Sequence, residues 1–348
     1  MKIRRFVGLV LLCAAAINTP LYARVSDATV DRTAQGTLQL HWSDSNPVDV
    51  YVVKSVTQGL KEARLIAAAD RDGEYAMPAP SHERPYFLLK DRKDDTVVMV
   101  AERVLPLDQG SNFRDLGGYL AADGKHVRWG LLFRSGATPL LTEQDLAEID
   151  TLGLQQMIDL RASEERVFAP TRISGVSYGA VGYSFASIVN GGQFDVETIY
   201  RNFPGMLAPQ MRMLFAALLR KEVPVVFNCS AGQDRTGFAS ALILTALNVP
   251  RPVIYADYKL STTYRKPEFE MPPIDPAQHP NDPFAQIFAR MSSSAHKPQP
   301  LVGKDGQPFL AFAFDEMDKK WGSPEAYLKN ELGIGPVQLA LLRELYLE

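Results

Sequence analysis

The stretch Val223-Pro224-Val225-Val226-Phe227-Asn228-Cys229-Ser230-Ala231-Gly232-Gln233-Asp234-Arg235-Thr236-Gly237 decides how this chain is read. An apolar run, Val223 to Asn228, has the make-up of a buried strand, and an apolar helix is expected from Thr236 to Leu247. The short loop between them contains glycine. Loop amides at a helix N-terminus cradle an anion, because N–H groups converge there and the helix dipole adds positive potential. That field also favours the thiolate of a cysteine, so Cys229 reads as a nucleophile. Ser230, Ala231, Gly232, Gln233 and Asp234 form the cradle, and Arg235 offers a bidentate fork to two oxygens of a phosphate. Gly232 and Gly237 permit a tight turn and close backbone approach. Thr236 stands where its hydroxyl can hydrogen-bond the sulfur and ease its departure. The bland alternative is a core cysteine before an ordinary turn. It requires the strand, the glycine, the arginine and the Thr-Gly pair to coincide by chance.

Outward from this stretch, strands alternate with helices. Leu141 to Gly153 reads as an amphipathic helix capped by Thr142 with Asp145 behind it, Leu154 to Leu160 as a strand, and Pro209 to Lys221 as a helix. This alternation from about residue 106 predicts an α/β domain with a mainly parallel central sheet flanked by helices. Residues 265–308 break the pattern with nine prolines in 44 positions, which reads either as a lid over the site or as an insertion. Helical periodicity returns from Ser323 to the end.

Residues 24–105 differ. Thr37 to Trp42, Val48 to Val53, Tyr86 to Leu89 and Thr96 to Val100 read as short strands between Gly, Pro, Asp and Ser clusters. A small all-β sandwich-like module, fibronectin-like or immunoglobulin-like, is expected there, with its partner open. Residues 1–23 carry the pattern of a signal peptide: Lys2, Arg4 and Arg5, then apolar Phe6 to Ile17, then Leu21-Tyr22-Ala23 as a cleavage site. The apolar run is too short to span a bilayer, and no later segment reaches that length. An exported, periplasmic or secreted protein is expected.

Composition sets further bounds. The chain has 348 residues, 37 Lys+Arg against 40 Asp+Glu, 46% apolar residues and two cysteines. Its net charge of −3 gives no reason to expect nucleic-acid binding. Two cysteines exclude a disulfide framework and a four-thiolate zinc site, and the five scattered histidines form no helical i, i+4 pair. Removal of residues 1–23 takes away Cys13 and three positive charges, leaving Cys229 as the lone thiol of a chain with net charge −6. A lone thiol in an oxidising compartment calls for a chemical explanation.

With these residues in view, Cys-x5-Arg-Thr-Gly between a strand and a helix resembles the phosphate-binding loop of cysteine-dependent protein tyrosine phosphatases. More narrowly, it resembles the secreted bacterial group with the loop Cys-x-x-Gly-Lys-Asp-Arg-Thr-Gly, which includes mycobacterial and Listeria effectors. Asn112 to Tyr119, Leu132 to Ser135, Leu141-Thr142, Met157 to Arg161, Tyr327-Leu328 and Leu332-Gly333 extend the likeness over most of residues 110–265 and the C-terminus. It does not cover residues 24–105. The resemblance implies hydrolysis of phosphotyrosine, with phosphoserine and phosphothreonine as further substrates, through a cysteinyl-phosphate on Cys229. Arg235 would hold the phosphoryl oxygens, and neither metal nor cofactor is implied. Asp234 corresponds to the acid proposed for the family, and Asp159 at a strand end is the other candidate. Asn112 to Tyr119, Arg134 and Arg161 read as framework; Tyr178, Tyr183, Tyr255, Tyr258 and Tyr264 read as packing residues that could also stack on a substrate ring. Asn228 stands where the family has His, and Gln233 where it has Lys. Asn228 keeps open a phosphate-binding pseudophosphatase; a phosphatase of inositol polyphosphates or phosphoinositides is the other alternative, because exported cysteine phosphatases of that kind also use this loop, and Gln233 weighs against it.

Overall fold

A computed structural model describes residues 25–188, 195–291 and 298–348. The expected signal peptide lies outside them. Strands β1 (Ser26–Arg32), β2 (Thr37–Ser43) and β5 (Glu74–Pro78) form one sheet in the order β1-β2-β5. Strands β3 (Val48–Val53), β4 (Arg64–Asp70), β6 (Tyr86–Asp91) and β7 (Val97–Ala101) form a second in the order β4-β3-β6-β7. All pairings are antiparallel. Alternation explains the assembly: Leu38, Leu40 and Trp42 of β2 point inward while Gln39, His41 and Ser43 point out. Leu38 and Leu40 join Val48, Val50, Phe87 and Leu89 in one core, as in a two-sheet sandwich.

The second part is built on a five-stranded sheet, β11-β10-β12-β9-β8. It comprises β8 (Arg114–Asp115), β9 (Leu132–Ser135), β10 (Gln156–Asp159), β11 (Ser177–Ala180) and β12 (Val225–Asn228). Strands β9 to β12 run parallel, and β8 pairs antiparallel with β9. Helices α1 (Glu143–Asp150), α2 (Ser163–Phe168), α3 (Val196–Met206), α4 (Ala208–Leu219), α5 (Asp234–Ala246), α6 (Arg251–Tyr264), α7 (Pro283–Met291), α8 (Leu310–Trp321), α9 (Pro324–Asn330) and α10 (Pro336–Tyr346) complete it. The mixed α/β architecture matches expectation. Thr142 and Asp145 form the reciprocal cap of α1. Helix α5 is buried on nearly every residue, which explains its lack of amphipathic pattern. No described helix is long and apolar enough to cross a membrane.

The Asn112–Tyr119 segment joins the two parts. Trp129 packs within the core of the sandwich and donates its indole N–H to Met99 O at 3.0 Å. A Cβ on Gly117 or Gly118 would lie 2.5 or 2.4 Å from Trp129, so the Gly-Gly pair is what lets the indole in. Across the same seam, buried Arg84 of the sandwich pairs with buried Asp115 at 3.0 Å.

Glu148 of α1 is 3% exposed, and neither carboxylate oxygen has a hydrogen-bond partner among the described residues. Burial pushes its pKa from 4.5 up to about 7, the nearby Glu102 and Asp145 adding to it and Arg32 opposing it. The folded state therefore holds a proton that the unfolded state releases, and stability falls as pH rises from about 4.5 to 7. Glu148→Gln should raise stability at pH 8 by about 1–3 kcal/mol and change little at pH 4.5. Thermal melts of both proteins across this range check it.

Candidate active site

Strand β12 ends at Asn228, and the polypeptide turns through Cys229–Gln233 into α5 at the C-terminal edge of the parallel strands, where α/β sheets bind ligands. Helix α5 begins at Asp234, two residues before the expected start, so Asp234 and Arg235 belong to its first turn. Gly232 adopts φ +63°, and a Cβ there would lie 2.5 Å from the backbone of Ser135 and Gly136. No other residue fits that turn without displacing β9.

The loop carbonyls are turned outward and held. Ser230 O accepts from Ala137 N at 2.7 Å; Asn112 Nδ2 donates to Ala231 O at 3.1 Å and to Gly232 O at 2.8 Å. Arg134 also donates to Gly232 O at 2.8 Å. In a planar trans peptide the following N–H points opposite to the C=O. The amides of Ala231, Gly232 and Gln233 thus face the other side, and among the described residues they donate to nothing. Backbone donors left without acceptors at the wall of a cavity are positioned to bind a ligand's oxygens.

Behind the loop lies a buried charge network. Asp257 of α6 accepts from Arg134 at 2.5 Å, Arg114 at 3.2 Å and Tyr119 at 2.9 Å. Burial alone would raise its pKa, yet the two guanidiniums hold it well below the usual carboxylate range. Arg235 is 8% exposed and gripped by Glu165 of α2 through both terminal nitrogens, at 2.5 and 2.7 Å, and by Tyr183 at 2.8 Å. Glu165 also accepts from Ser230 Oγ. Burial opposes charge on both partners, but each keeps the other ionised, Glu165 below and Arg235 above its ordinary value. The Nε edge of Arg235 donates to no described residue, leaving a fork for two phosphate oxygens.

Cys229 is 1% exposed and lines a cavity of about 790 Å³ together with Ser230, Ala231, Gln233, Asp234 and Arg235. A thiol, free amides and an arginine edge around one cavity can hold a phosphoryl group beside a nucleophile.

Comparison with known proteins agrees. The model of a family described as the tyrosine phosphatase family matches residues 105–348. The chain belongs to this family. It is 31% identical over 255 residues to a Cupriavidus necator protein that carries a tyrosine-protein phosphatase name, covering 68% of this chain and 86% of that one. It is 27% identical over 255 residues to the triple specificity protein phosphatase PtpB of Mycobacterium tuberculosis, covering 63% of this chain and 90% of that one. Among solved structures, the Siw14 catalytic core is matched at 15% identity and TM-score 0.28, over 57% of this chain and 99% of that one. A Fn3-like protein from Clostridium thermocellum is matched at 12% identity and TM-score 0.21, over 25% and 98%. Neither structural likeness bears on the chemistry.

In this chain the two candidate acids part company. Asp234 lines the cavity and accepts from the hydroxyl of Tyr200, which in turn meets Tyr258 OH at 2.5 Å. Asp159 does not line it. Its carboxylate is fully buried, spanned by Arg161 at 2.9 and 2.6 Å and by Tyr178 at 2.9 Å. The strand end that suggested it as an acid instead places it in a framework ion pair. Thr236 Oγ1 is buried without a hydrogen-bond partner among the described residues, the sulfur included. Asn228 Nδ2 donates to Cys229 O at 3.3 Å, and its side-chain Oδ1 has no partner among the described residues. Tyr178, Tyr183, Tyr255, Tyr258 and Tyr264 do not line the cavity; Phe185, Phe203, Phe284, Phe288 and Phe309 do.

Several site residues escape sequence reasoning. Glu165, Asp257, Tyr200 and the pair Arg265–Glu270 (2.8 Å) come from distant positions. The proline-rich 265–308 region contributes Arg265, Met271, Ile274 and, from α7, Phe284 and Phe288 to the cavity wall. Its helix has a readable start, since Asp282 Oδ1 accepts from Phe284 N at 2.9 Å with Pro283 opening the first turn.

Proposed function

We propose that this protein is an exported phosphatase that hydrolyses phosphotyrosine, with phosphoserine and phosphothreonine as further substrates, through a cysteinyl-phosphate on Cys229. The observation that carries the reading is the row of undonated loop amides beside Cys229 and the open edge of Arg235. In the first step the Cys229 sulfur attacks phosphorus, the S–P bond forms as the O–P bond breaks, and Asp234 gives its proton to the departing oxygen. The amides and Arg235 hold the equatorial oxygens throughout. In the second, water attacks phosphorus, yields its proton to Asp234 and releases the thiolate. The basic start and apolar run of residues 1–23 support export. The triple specificity named for the mycobacterial relative supports a site open to more than one phosphoester.

The test is release of inorganic phosphate from a phosphotyrosine peptide and from p-nitrophenyl phosphate in excess chelator. Undiminished turnover supports the reading, and an absolute need for added divalent metal would sink it.

A further inference from the structure

Resting on the phosphatase reading, we infer that the site also takes monophosphate esters of long apolar alcohols, with the hydrocarbon held in the cavity beyond the loop. The cavity volume of about 790 Å³ lies toward the upper end of the range for pockets that enclose a whole small ligand. A phosphate at Cys229 and the ring next to it occupy only the end nearest the loop. The remaining wall is largely apolar, made chiefly by Ile188, Ile199, Ile274, Phe284, Phe288 and Leu301. These side chains come from five separate stretches of chain, so the apolar lining is a property of the cavity and not of one helix face.

Charge narrows the ligand to one phosphate. The cavity is lined by four carboxylates, Glu165, Asp234, Glu268 and Glu270, and by two guanidiniums, Arg235 and Arg265. Glu165 pairs with Arg235 and Glu270 with Arg265. Glu268 remains to repel any second phosphate, which would also be desolvated among phenylalanines. An inositol polyphosphate is therefore a poor fit. For a phosphopeptide this wall adds little beyond the phosphorylated side chain itself, because backbone N–H and C=O groups need partners that apolar groups do not supply. A hydrocarbon needs none and gains from leaving water.

The experiment measures kcat/KM for butyl, hexyl, octyl and decyl monophosphate below their aggregation concentrations, using the full chain without its first 23 residues. The leaving alkoxide has the same chemistry throughout, so any trend reports the tail. Full burial of a methylene is worth about fourfold. A rise of about 60-fold from butyl to decyl is expected, about the square root of that limit over six methylenes. A rise below about threefold would overturn the inference. So would inositol hexakisphosphate turning over faster than decyl phosphate, or a phosphotyrosine pentapeptide improving on free phosphotyrosine by more than the alkyl gain. Ile274→Ser and Phe288→Ser, made separately, should each flatten the dependence on chain length. An unchanged slope in both would place the tail elsewhere and overturn the assignment. p-Nitrophenyl phosphate separates the two levels: its turnover without a chain-length trend defeats this inference alone, and its absence defeats the phosphatase reading beneath it.

Discussion

Cys229→Ser should lower turnover of p-nitrophenyl phosphate by about 10⁵-fold, while phosphate still binds and still raises the melting temperature. The reasoning follows from the division of labour in the site. Binding belongs to the loop amides and the open edge of Arg235, none of which the substitution touches. Bond-making belongs to the sulfur at the head of the loop. A serine hydroxyl holds its proton far more tightly than a thiol and needs a base to give it up. The cavity carboxylates beside the loop are engaged, Glu165 by Arg235 and Asp234 by Tyr200, and Asp234 is assigned to the leaving group. Retention of more than about one hundredth of wild-type kcat would contradict the assignment of the nucleophile.

Asp257→Asn should destabilise the protein by about 3–5 kcal/mol, read as a shift of the urea midpoint at unchanged m-value. The exchange keeps the shape and removes the charge. Arg114 and Arg134 are both fully buried and both depend on this carboxylate. Burial and the proximity of Arg134 already push the Arg114 pKa down to about 10, so little further loss of compensation can be absorbed. Arg134 also holds Gly232 O, and its release should loosen the phosphate loop and raise KM along with the stability loss. A change within about 0.5 kcal/mol would show that the network is not what secures the loop.

The loop was legible because its parts are local. Strand, Gly232, Arg235 and helix sit within one short run, and each residue's place in the turn follows from its neighbours in the chain. The partners of that run were not legible. Glu165 lies 70 positions from Arg235 and Asp257 lies 123 from Arg134, and only the fold brings them together. The sign that partners must exist was present in Arg114, Arg134 and Arg161, three arginines set among apolar residues that cannot be buried unpaired. Asp159 reads equally well as acid or framework until Arg161 and Tyr178 are seen to occupy it. Strand β4 carries Ala67, Ala68 and Ala69 without alternation, and β1 carries Asp27 and Asp31, so neither shows the pattern that marks β2. Helix α7 was hidden by surrounding prolines, although Asp282-Pro283 marks its start. The Gly117-Gly118 pair reads as turn chemistry, and its use as a seat for Trp129 depends on the sandwich docked beyond it.

The most direct test of the central claim is an acid quench during turnover of ³²P-labelled phosphotyrosine peptide, followed by proteolysis and mapping of the label. Label on the peptide containing Cys229, absent from Cys229→Ser, is the predicted result. Sustained turnover with no label on Cys229 at any quench time, under conditions that preserve thiophosphate esters, would contradict it.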